Sequence, residues 1–544
     1  TEVILYLYQE KGIDCLKDLE GMFAFAIWDE TKQQLFLARD RIGIKPLYYI
    51  EQNGTFYFAS EIKAILENPE IKREMDEEAL YHYLTFLNTP APFTLFKGIK
   101  KLEGGHSIIV DKNGVSEPQE WWNVLDNPPD TLQMSEEEMQ EQIVEQLRES
   151  IADRMISDVP FGVLLSGGVD SSLNVALMSE LMDRPVQTFS MGYKEYQDKY
   201  NELNYARQIA KEFNCNHHEI LLDFDDMMNF LPTLIYHQDE PLADIVCFPL
   251  YYVTKLAKDN GVTVVQVGEG SDEQFCGYPH YKDILKIYRR MWKPYEKVPG
   301  PLKKMNYKLG APVFRSLNNH SYLDFLERAT KGQDVFQGGA IGLWEAAKQE
   351  ILSEDFKKRS AKYNTPIFLS ETFYNDYENH PHLDDDYLQR MIYLEFQNRL
   401  PELLLMRVDK ITMANSIESR VPFLDHRLVE FTMGLPEKLK TKNKELKYLL
   451  KRGVEKILPH NIIYREKKGF AAPIEEWFQK LQPILMDKIL KSQLRELNIF
   501  DYDKIQQLGE AHQRGEKNHA VGLWAIFNLS LWYDYWIKND KSII

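Results

Sequence analysis

The ten residues at positions 163–172, Val-Leu-Leu-Ser-Gly-Gly-Val-Asp-Ser-Ser, have the composition of an anion-binding turn. An apolar run before the two glycines predicts a buried parallel strand, and the helical spacing of apolar residues after them predicts a helix. A strand, a glycine turn and a helix in this order point free backbone N–H groups at a phosphate. Ser166, Ser171 and Ser172 add hydroxyl donors. The stretch therefore predicts a phosphate-binding loop.

Asp170 lies inside this loop and would repel a bare phosphate. Its presence predicts a magnesium ion beside the phosphates, because Mg²⁺ takes carboxylate and phosphate oxygens as ligands. The spacing is not that of a Walker A loop, in which G-x-x-x-x-G-K precedes Ser or Thr. It is similar to the pyrophosphate loop of enzymes that split ATP into AMP and pyrophosphate. The alternative interpretation is a plain glycine-rich turn in an α/β domain.

A second loop, Val-Gly-Glu-Gly-Ser-Asp-Glu at positions 267–273, follows a predicted strand at 262–267. Ligands of parallel sheets bind beyond the carboxyl ends of the strands, so we expect this loop and the Ser166 loop to face one pocket. The glycines beside Glu269 suit a close approach of backbone and ligand. Asp272 is placed to share a magnesium ion with Asp170. An acidic, solvated loop is the alternative.

Two further segments carry charges that suit a ligand site. At 410–425, charged residues that include Lys410 and Arg420 interrupt apolar sequence. Charges in such surroundings pair with each other or with a ligand, and purely structural pairing stays open for each of them. Lysines at 444–451, together with the segment 465–469, could neutralise phosphates. Most lysines, however, are simply solvated.

The elements before position 123 are predicted to form an antiparallel sheet with one or two helices. Asn53-Gly54 is a strong hairpin signal, and Gly12 suits the end of a helix. The predicted elements are a helix at 1–11, strands at 22–28, 35–38, 47–50 and 56–59, and a further pair near 93–95 and 106–110.

The rest of the chain follows a linker predicted at 123–134, which includes Asn127-Pro128-Pro129. Ser135 is a predicted N-cap for a helix that runs to about Arg154. Strands are then predicted at 161–165, 186–190, 217–221 and 262–267, with helices between them. This alternation is typical of a doubly wound parallel sheet, so the fold class is α/β. From about Tyr281 onward the sequence is mainly helical.

Composition limits the classes of partner. The chain has 544 residues, 44% hydrophobic and 27% charged, with a net charge of −18, which argues against nucleic acid or an anionic membrane as the main partner. The four cysteines are far apart and form no C-x-x-C, so neither disulfides nor a zinc site is predicted and a cytoplasmic location is expected. A leader or membrane span is not predicted.

The chain resembles glutamine-dependent asparagine synthetases over nearly its whole length. Besides the two loops above, the residues that carry this resemblance are Leu-Glu-Gly-Met-Phe-Ala-Phe-Ala at 19–26, Ala-Arg-Asp-Arg-Ile-Gly-Ile-Lys-Pro-Leu-Tyr-Tyr at 38–49, and Glu-Ser-Arg-Val-Pro-Phe-Leu-Asp-His at 418–426.

The resemblance implies two domains joined by an internal tunnel. Residues 1–122 would be the C-terminal portion of an N-terminal-nucleophile glutaminase, mostly antiparallel β with helices, which releases ammonia. Residues 135–544 would be an ATP-pyrophosphatase domain, similar to the adenine nucleotide alpha hydrolases, with a helical C-terminal part. That domain would use ATP and Mg²⁺ to form β-aspartyl-AMP from aspartate, and ammonia would convert it to asparagine.

The resemblance also implies roles for individual residues. Glu269 would be the base that assists ammonia, Lys447 the phosphate-binding lysine, and Asp170 and Asp272 the magnesium ligands. Lys410 and Arg420 are similar to residues near the acid substrate. The implied ATP-binding residues are Leu165, Ser166, Gly167, Gly168, Asp170, Ser171, Ser172, Met191, Val267 and Gly268.

Three features depart from the family pattern. The glutaminase cysteine and the glutamine-binding segments are expected upstream of Thr1, because Thr1 begins in the middle of a predicted fold; this stretch alone is not expected to hydrolyse glutamine. Val267 stands where a serine or similar small residue is expected, and Cys276 stands where glycine is commoner. The loss of a hydroxyl at Val267 leaves the identity of the acid substrate open.

Two other functions remain open from the sequence. One is a related amidotransferase that adenylates another carboxylate, such as a sugar acid or a β-amino acid that closes a lactam. The other is a catalytically dead, nucleotide-binding relative, against which the intact Asp170, Glu269, Asp272 and Lys447 argue. The expected partners are small molecules (aspartate, glutamine or ammonia, and ATP), and a homodimer is a family expectation.

Overall fold

A computed structural model describes residues 1–131, 133–195, 200–317, 319–380, 386–442, 445–466 and 473–543. The N-terminal part contains two antiparallel sheets. One has the order β1-β2-β6-β7 with β8 paired to β6, and the other has the order β4-β3-β5. These strands are β1 (Ala24–Asp29), β2 (Gln34–Arg39), β3 (Tyr48–Gln52), β4 (Thr55–Ala59), β5 (Lys100–Lys101), β6 (His106–Asp111), β7 (Gly114–Val115) and β8 (Gln119–Glu120).

The predicted hairpin and N-terminal helix are confirmed. Strands β3 and β4 pair in register from Tyr48–Ala59 to Gln52–Thr55, and Asn53 and Gly54 both have positive φ, as a tight hairpin turn requires. The first helix spans Glu2–Lys11 and ends at Gly12. Its buried Tyr8 packs with apolar side chains of β1 and β2.

The strand predicted near 93–95 is wrong. Residues 93–95 belong to no strand or helix, and an isolated antiparallel bridge joins the next residue, Phe96, to Met75. The Thr94 hydroxyl donates to the carbonyls of Phe96 and Ile99, and the Leu95 amide donates to Glu240. The other member of the predicted pair is real, but β6 pairs with β2.

The helix predicted after Ser135 is confirmed and spans Glu136–Asp153. Ser135 accepts a hydrogen bond from the Glu138 amide, and Glu138 accepts one from the Ser135 amide. This reciprocal arrangement is a capping box, which satisfies backbone donors at the start of a helix. In the segment before this helix, Asn123, Val124 and Leu125 are buried.

The central element is a five-stranded parallel sheet with the order β11-β10-β9-β12-β13. The prediction of a parallel α/β sheet is therefore confirmed, and β13 is a strand that the sequence did not predict. Val163 packs into the core on one face, while Phe189 and Val265 pack into the core on the other. The strands are β9 (Phe161–Leu164), β10 (Gln187–Tyr193), β11 (Asn216–Leu222), β12 (Val264–Gln266) and β13 (Glu418–Arg420).

Helices cover the sheet and make up most of the chain after it, as predicted. On one face of the sheet they share a large core that also includes side chains of the N-terminal part, such as Tyr48 and Phe96. On the other face, helices that include Glu136–Asp153 and Val169–Glu180 form a second core. The α-helices that follow the first strands are Ile62–Ile65, Glu77–Phe86, Val169–Glu180, Leu203–Glu212, Phe224–Gln238, Cys247–Asp259, Ser271–Gln274, Pro279–Ile287, Lys293–Glu296, Gly300–Ser316, His320–Lys331, Glu345–Ile351, Glu354–Arg359, Thr365–Leu369, Asn375–Asn379, Tyr387–Leu394, Met406–Met413, His426–Met433, Glu437–Lys440, Tyr448–Gly453, His460–Ile463, Ile474–Lys491, Tyr502–Gln513 and Ala520–Trp532.

Shorter helical types complete the chain. The 3₁₀ segments are Gly12–Lys17, Pro422–Leu424, Gln493–Leu497 and Lys541–Ile543, and the π-helical segments are Tyr288–Trp292, Ser370–Tyr374, Glu395–Leu405 and Tyr533–Ile537. Among the helices described, none has the length and the apolar character needed to cross a membrane.

Buried ion pairs join the N-terminal sheets to the later helices. Lys101 of β5 lies 2.7 Å from Glu240 and 3.1 Å from Glu402, and all three side chains are about 1% exposed. Arg39 of β2 lies 3.4 Å from the same Glu402. Burial alone lowers the pKa of Lys101, but the two carboxylates outweigh it and raise that pKa above its ordinary value. Lys101 therefore stays positively charged inside the protein, where it is paired with the two carboxylates.

Candidate active site

The strand order reverses between β9 and β12. The chain runs from β9 outward through β10 to β11 and then returns to place β12 on the other side of β9. Such a reversal opens a crevice at the carboxyl ends of the two strands, where ligands of parallel sheets bind. A cavity of about 980 Å³ lies there, lined by residues of both predicted loops.

The Ser166 loop turns directly from β9 into the helix Val169–Glu180. Gly167 has a φ of 72°, and a Cβ at this position would lie 2.7 Å from the Ala206 nitrogen, so the turn requires glycine. The Ser171 hydroxyl lies 3.0 Å from the Ser166 hydroxyl and accepts from the Ser166 amide at 3.2 Å. These contacts hold the loop open toward the cavity at the N-terminus of the helix, where a phosphate is favoured.

The Gly268 loop packs closely against the first loop. A Cβ at Gly268 would lie 3.0 Å from the Asp170 Cβ, and a Cβ at Gly270 would lie 2.2 Å from a Leu424 methyl. Gly270 also has a φ of 90°, in the left-handed region. Because both positions are glycine, the loop fits between Asp170 and Leu424. Glu269, which lies between the two glycines, lines the cavity.

Lys447 joins the two loops at the centre of the site. Its Nζ lies 2.6 Å from Asp170 Oδ2 and 2.6 Å from Asp272 Oδ1, and it donates to the Ser271 hydroxyl at 3.0 Å. Burial lowers the pKa of Lys447, but the two carboxylates outweigh it, so the pKa of this ammonium is raised. Lys447 itself has a φ of 56°, one residue before the helix Tyr448–Gly453.

The positions of Asp170 and Asp272 indicate whether a magnesium ion would fit this site. Carboxyl oxygens of Asp170 and Asp272 converge on one point that a single cation, the Lys447 ammonium, already contacts. Two carboxylates that approach one position from two loops, with room for phosphate oxygens in the cavity, match the oxygen preference of Mg²⁺. The residues present therefore fit the ion.

Glu269 is held by an arginine that the sequence interpretation missed. Arg407 donates to Glu269 Oε1 at 2.6 Å with one nitrogen and to Asp244 Oδ2 at 2.5 Å with the other. Burial lowers the pKa of Arg407, but Asp244 and Glu269 reverse the effect and raise it. The fork of the guanidinium fixes the direction of the Glu269 carboxylate, which stays a quarter exposed to the cavity.

A second group of missed residues lies beside the first. Glu273 is buried, accepts from the Tyr278 hydroxyl at 2.8 Å and lies 3.5 Å from Arg399. Arg399 also pairs with Glu395 at 2.8 Å. Burial raises the pKa of Glu273 to about 7, against the lowering effect of Arg399. Both Arg399 and Tyr278 line the cavity.

The structure brings most of the predicted site residues together. Those that line the cavity are Leu165, Ser166, Gly168, Asp170, Ser171, Met191, Val267, Gly268, Glu269, Asp272 and Lys447. Gly167 and Ser172 belong to the same loop but do not line the cavity, since Ser172 is fully buried beneath the loop. Of the segments considered for phosphate contacts, residues 443–444 and 467–469 lie outside the described residues.

Lys410 and Arg420 are placed elsewhere. Lys410 is buried, pairs with Asp239 at 2.8 Å and does not line the cavity. Arg420 pairs with Glu418 at 2.7 Å and donates to the carbonyls of Arg154 and Ile156. Both charges are therefore satisfied by the protein, which is the structural pairing that the sequence left open.

The missed residues had one signal in the sequence. Arg407 lies three residues before Lys410, so the charged segment extends further toward the N-terminus than the stretch at 410–425. Arginine and aspartate in an apolar helix indicate pairing, but the spacing alone does not say which charge faces the ligand.

Two family models match the chain. The model described as asparagine synthase matches residues 142–534, and the model described as a glutamine amidotransferase domain matches residues 1–122. The first match covers both loops, Arg407 and Lys447. The second covers the N-terminal sheets.

Curated relatives are similar over nearly the whole chain. Glutamine-hydrolyzing asparagine synthetase 1 of Bacillus subtilis (strain 168) is 32% identical over 99% of this chain and 81% of its own length. A putative glutamine-hydrolyzing asparagine synthetase of Mycobacterium tuberculosis (strain ATCC 25618 / H37Rv) is 29% identical over 99% of this chain and 80% of its own length. Amidase chyE of Penicillium rubens is 26% identical over 94% of this chain and 78% of its own length.

Proposed function

The chain belongs to the asparagine synthase family of ligases, which form amides with glutamine as nitrogen source, and on that premise we propose that its substrates are ATP and aspartate. In the first step the aspartate side-chain carboxylate attacks the α-phosphorus of ATP, and pyrophosphate leaves. Ammonia then attacks the carbonyl carbon of β-aspartyl-AMP, AMP leaves, and asparagine forms. The observation that carries this proposal is the convergence of Asp170, Asp272, Lys447 and Glu269 on one cavity.

The nucleotide is bound by the Ser166 loop and its neighbours. We assign the pyrophosphate to Ser166, Gly167, Gly168 and Ser171, because the amides and hydroxyls at a helix N-terminus favour anions. Leu165 and Met191 would frame the adenine and ribose, and Val267 and Gly268 would close the pocket. These residues other than Gly167 line the cavity.

Lys447 is assigned to the phosphates. A buried ammonium stabilises negative charge that grows on phosphate oxygens as pyrophosphate leaves, and in a low-dielectric site this effect is large. Asp170 and Asp272 would hold the magnesium ion, which when bound neutralises phosphate charge and orients the leaving group. The fold of the protein sets the positions of these two carboxylates and of Lys447.

Glu269 is assigned as the general base of the second step. Ammonia must be neutral to attack, and it must lose a proton as the C–N bond forms. Glu269 takes that proton, and Arg407 fixes the direction of its carboxylate. Enclosure of the adenylate in the cavity limits its hydrolysis by water.

Ammonia supply is assigned to a glutaminase domain that includes residues 1–122, separated from the synthetase domain at 135–544 by a linker at 123–134. The match of residues 1–122 to a glutamine amidotransferase domain supports this assignment. Buried ion pairs such as Arg39–Glu402 attach these residues to the synthetase helices.

A second candidate acceptor has support from the structure. Lys410 and Arg420, which are similar to residues near the acid substrate, do not line the cavity, and Amidase chyE is similar over most of the chain. A related carboxylate, such as a sugar acid or a β-amino acid that closes a lactam, is therefore the alternative acceptor for the same chemistry.

The test is pyrophosphate release from ATP in the presence of saturating ammonium, which bypasses the glutaminase half. Aspartate, other small dicarboxylates and sugar acids are supplied one at a time, and the amide is identified by mass spectrometry. We expect release with aspartate together with asparagine. If pyrophosphate is released with a different acid but not with aspartate, that acid replaces aspartate in the proposal. If no acid gives release, the proposal is overturned. Asp170→Asn removes a carboxylate assigned to magnesium and should lower pyrophosphate release. Asp183→Asn, which removes an exposed carboxylate just beyond the same helix, is its control and should leave release unchanged.

A further inference from the structure

Charge is distributed very unevenly in this acidic protein. The chain carries a net charge of −18, yet the segment 282–317 contains ten lysines or arginines and only two acidic residues. Within this segment the helix Gly300–Ser316, hereafter the surface helix, has no acidic residue. A local basic region of this kind attracts anionic surfaces whatever the net charge of the whole chain.

The surface helix presents a continuous apolar stripe to solvent. At 100° per residue, the stripe covers an arc of about 120°. Leu309 and Leu317 are 68% and 66% exposed, and the other members are between 47% and 54% exposed. The stripe consists of Leu302, Met305, Leu309 and Val313, with Leu317 directly after the end of the helix, and its spacings are three or four residues.

The opposite face of the helix accounts for its packing on the protein. Lys303 and Ala311 are buried, and a Cβ at Gly310 would lie 2.8 Å from a Leu326 methyl. The helix therefore packs on the helix His320–Lys331, with Gly310 close to Leu326 and Phe314 stacked on Tyr322. Its apolar stripe has no neighbour in the described part of the chain that would bury it.

Cations border the stripe on one side. Lys304, Lys308 and Arg315 occupy the arc next to it, and all three are exposed. Within the described ranges, none of the three forms an ion pair. Apolar side chains flanked by long basic ones are the pattern of a helix that lies in a lipid interface, where the basic heads contact anionic headgroups.

This pattern favours a lipid surface over a protein partner. A second copy of the surface helix would bring two sets of unpaired cations together, which repels. The centre of the stripe has no tryptophan, tyrosine or arginine of the kind that anchors a protein interface. Charge of one sign along a whole helix matches a surface of uniform opposite charge.

We propose that the surface helix attaches the protein to anionic lipid bilayers, with its apolar stripe in the headgroup region and Lys304, Lys308 and Arg315 against phosphate-bearing headgroups. This attachment is independent of the reaction at the cavity. It differs from the sequence expectation that an anionic membrane is not a main partner, which used the net charge of the whole chain.

The test is binding of the full chain to vesicles of phosphatidylglycerol and phosphatidylcholine, compared with vesicles of phosphatidylcholine alone. We expect binding to the anionic vesicles only, and weaker binding as salt rises. Since each basic residue near such a surface contributes about 1 kcal/mol, K304E/K308E should weaken binding at least about 20-fold. The pair L309S/V313S should weaken binding at least about tenfold through lost apolar burial.

Matched controls separate these effects from general changes of charge or hydropathy. K72E/K112E reverses two exposed lysines of the N-terminal part, and Ile156→Ser removes an apolar side chain that is 77% exposed elsewhere. Both controls should bind the vesicles as the parent chain does. Equal binding to neutral vesicles, no binding, or loss of binding in the controls would overturn the proposal. So would a dimer that L309S/V313S converts to a monomer, because the stripe would then be a protein interface.

Discussion

Lys447 Nζ lies 2.6 Å from Asp170 Oδ2, although 277 residues separate the two in the chain. The lysine assigned to the phosphates and a carboxylate assigned to magnesium are thus in direct contact. One ammonium contacts two carboxylates from two loops and so holds these loops together. When a magnesium ion and a nucleotide bind, the carboxylates and the ammonium each have a new partner of opposite charge.

Lys447→Met removes this ammonium and leaves Asp170 and Asp272 facing each other. Loss of one partner from a buried ion pair costs about 3–5 kcal/mol of unfolding free energy, and we expect a loss of this size at low magnesium. Added Mg²⁺ should restore more stability to the variant than to the parent chain, because Asp170 and Asp272 would hold the ion without competition from the ammonium. Urea unfolding with and without Mg²⁺ measures both effects.

Lys451→Met is the matched control, because Lys451 also lines the cavity but, among the described residues, has a single ion pair, with Glu445 at 3.9 Å. It should show a smaller loss of stability and no additional response to Mg²⁺. A magnesium response in Lys447→Met no larger than that of the parent chain would contradict the metal assignment of the two aspartates.

Glu269→Gln keeps the shape of the side chain but cannot take a proton. Amide formation should fall by about 10²–10⁴-fold, the usual contribution of a general base, while ATP binding is retained. The measurement is asparagine formed with saturating ammonium, beside nucleotide affinity. Asp244→Asn, on the other nitrogen of Arg407, is the control and should lose far less amide formation. Amide formation within a factor of two of the parent would reject the general-base role of Glu269.

Lys101→Met tests the buried network between the N-terminal sheets and the synthetase helices. It leaves Glu240 and Glu402 buried without their main cation, and we expect a loss of about 3–5 kcal/mol in unfolding free energy. Lys100→Met, an exposed neighbour on β5, should change stability by less than about 0.5 kcal/mol. Denaturant unfolding compares the two. Adding Glu402→Gln to Lys101→Met should recover part of the loss, and an unchanged or larger loss would show that the network contributes nothing through charge.

Glu273 should make stability depend on pH. Burial raises its pKa in the folded protein to about 7, against the 4.5 of an unperturbed glutamate, so between these values the native state holds more of this proton than the unfolded state. The contribution of Glu273 to unfolding free energy therefore falls as pH rises from about 4.5 to about 7 and is constant above that range. Glu273→Gln removes this decline, and unfolding at pH 5 and pH 8 measures it.

Glu371→Gln, at an exposed position, is the control and should leave the pH profile of the parent chain unchanged. If Glu273→Gln and the parent chain lose the same amount of stability between pH 5 and pH 8, Glu273 does not titrate in that window.

Local signals in the sequence were enough for much of the fold. The Asn53-Gly54 turn, the Ser135 cap and the strand–glycine–helix pattern at Ser166 each depend on a few adjacent residues, and each is found as predicted. The strand β13 and the irregular backbone at 93–95 were missed because their hydrogen-bond partners are distant in the chain: β12 for the strand, and the Glu240 side chain for Leu95.

By itself, the sequence determined the family, the α/β class and the two loops that carry Asp170 and Glu269, because glycine turns and apolar periodicity act over short distances. The tertiary structure decided which charges face the cavity. Arg407 and Lys410 are three residues apart on one helix, yet one contacts Glu269 and the other contacts buried Asp239. Residue type gives both a positive charge, and only the packing of that helix against its neighbours separates a site residue from a structural ion pair.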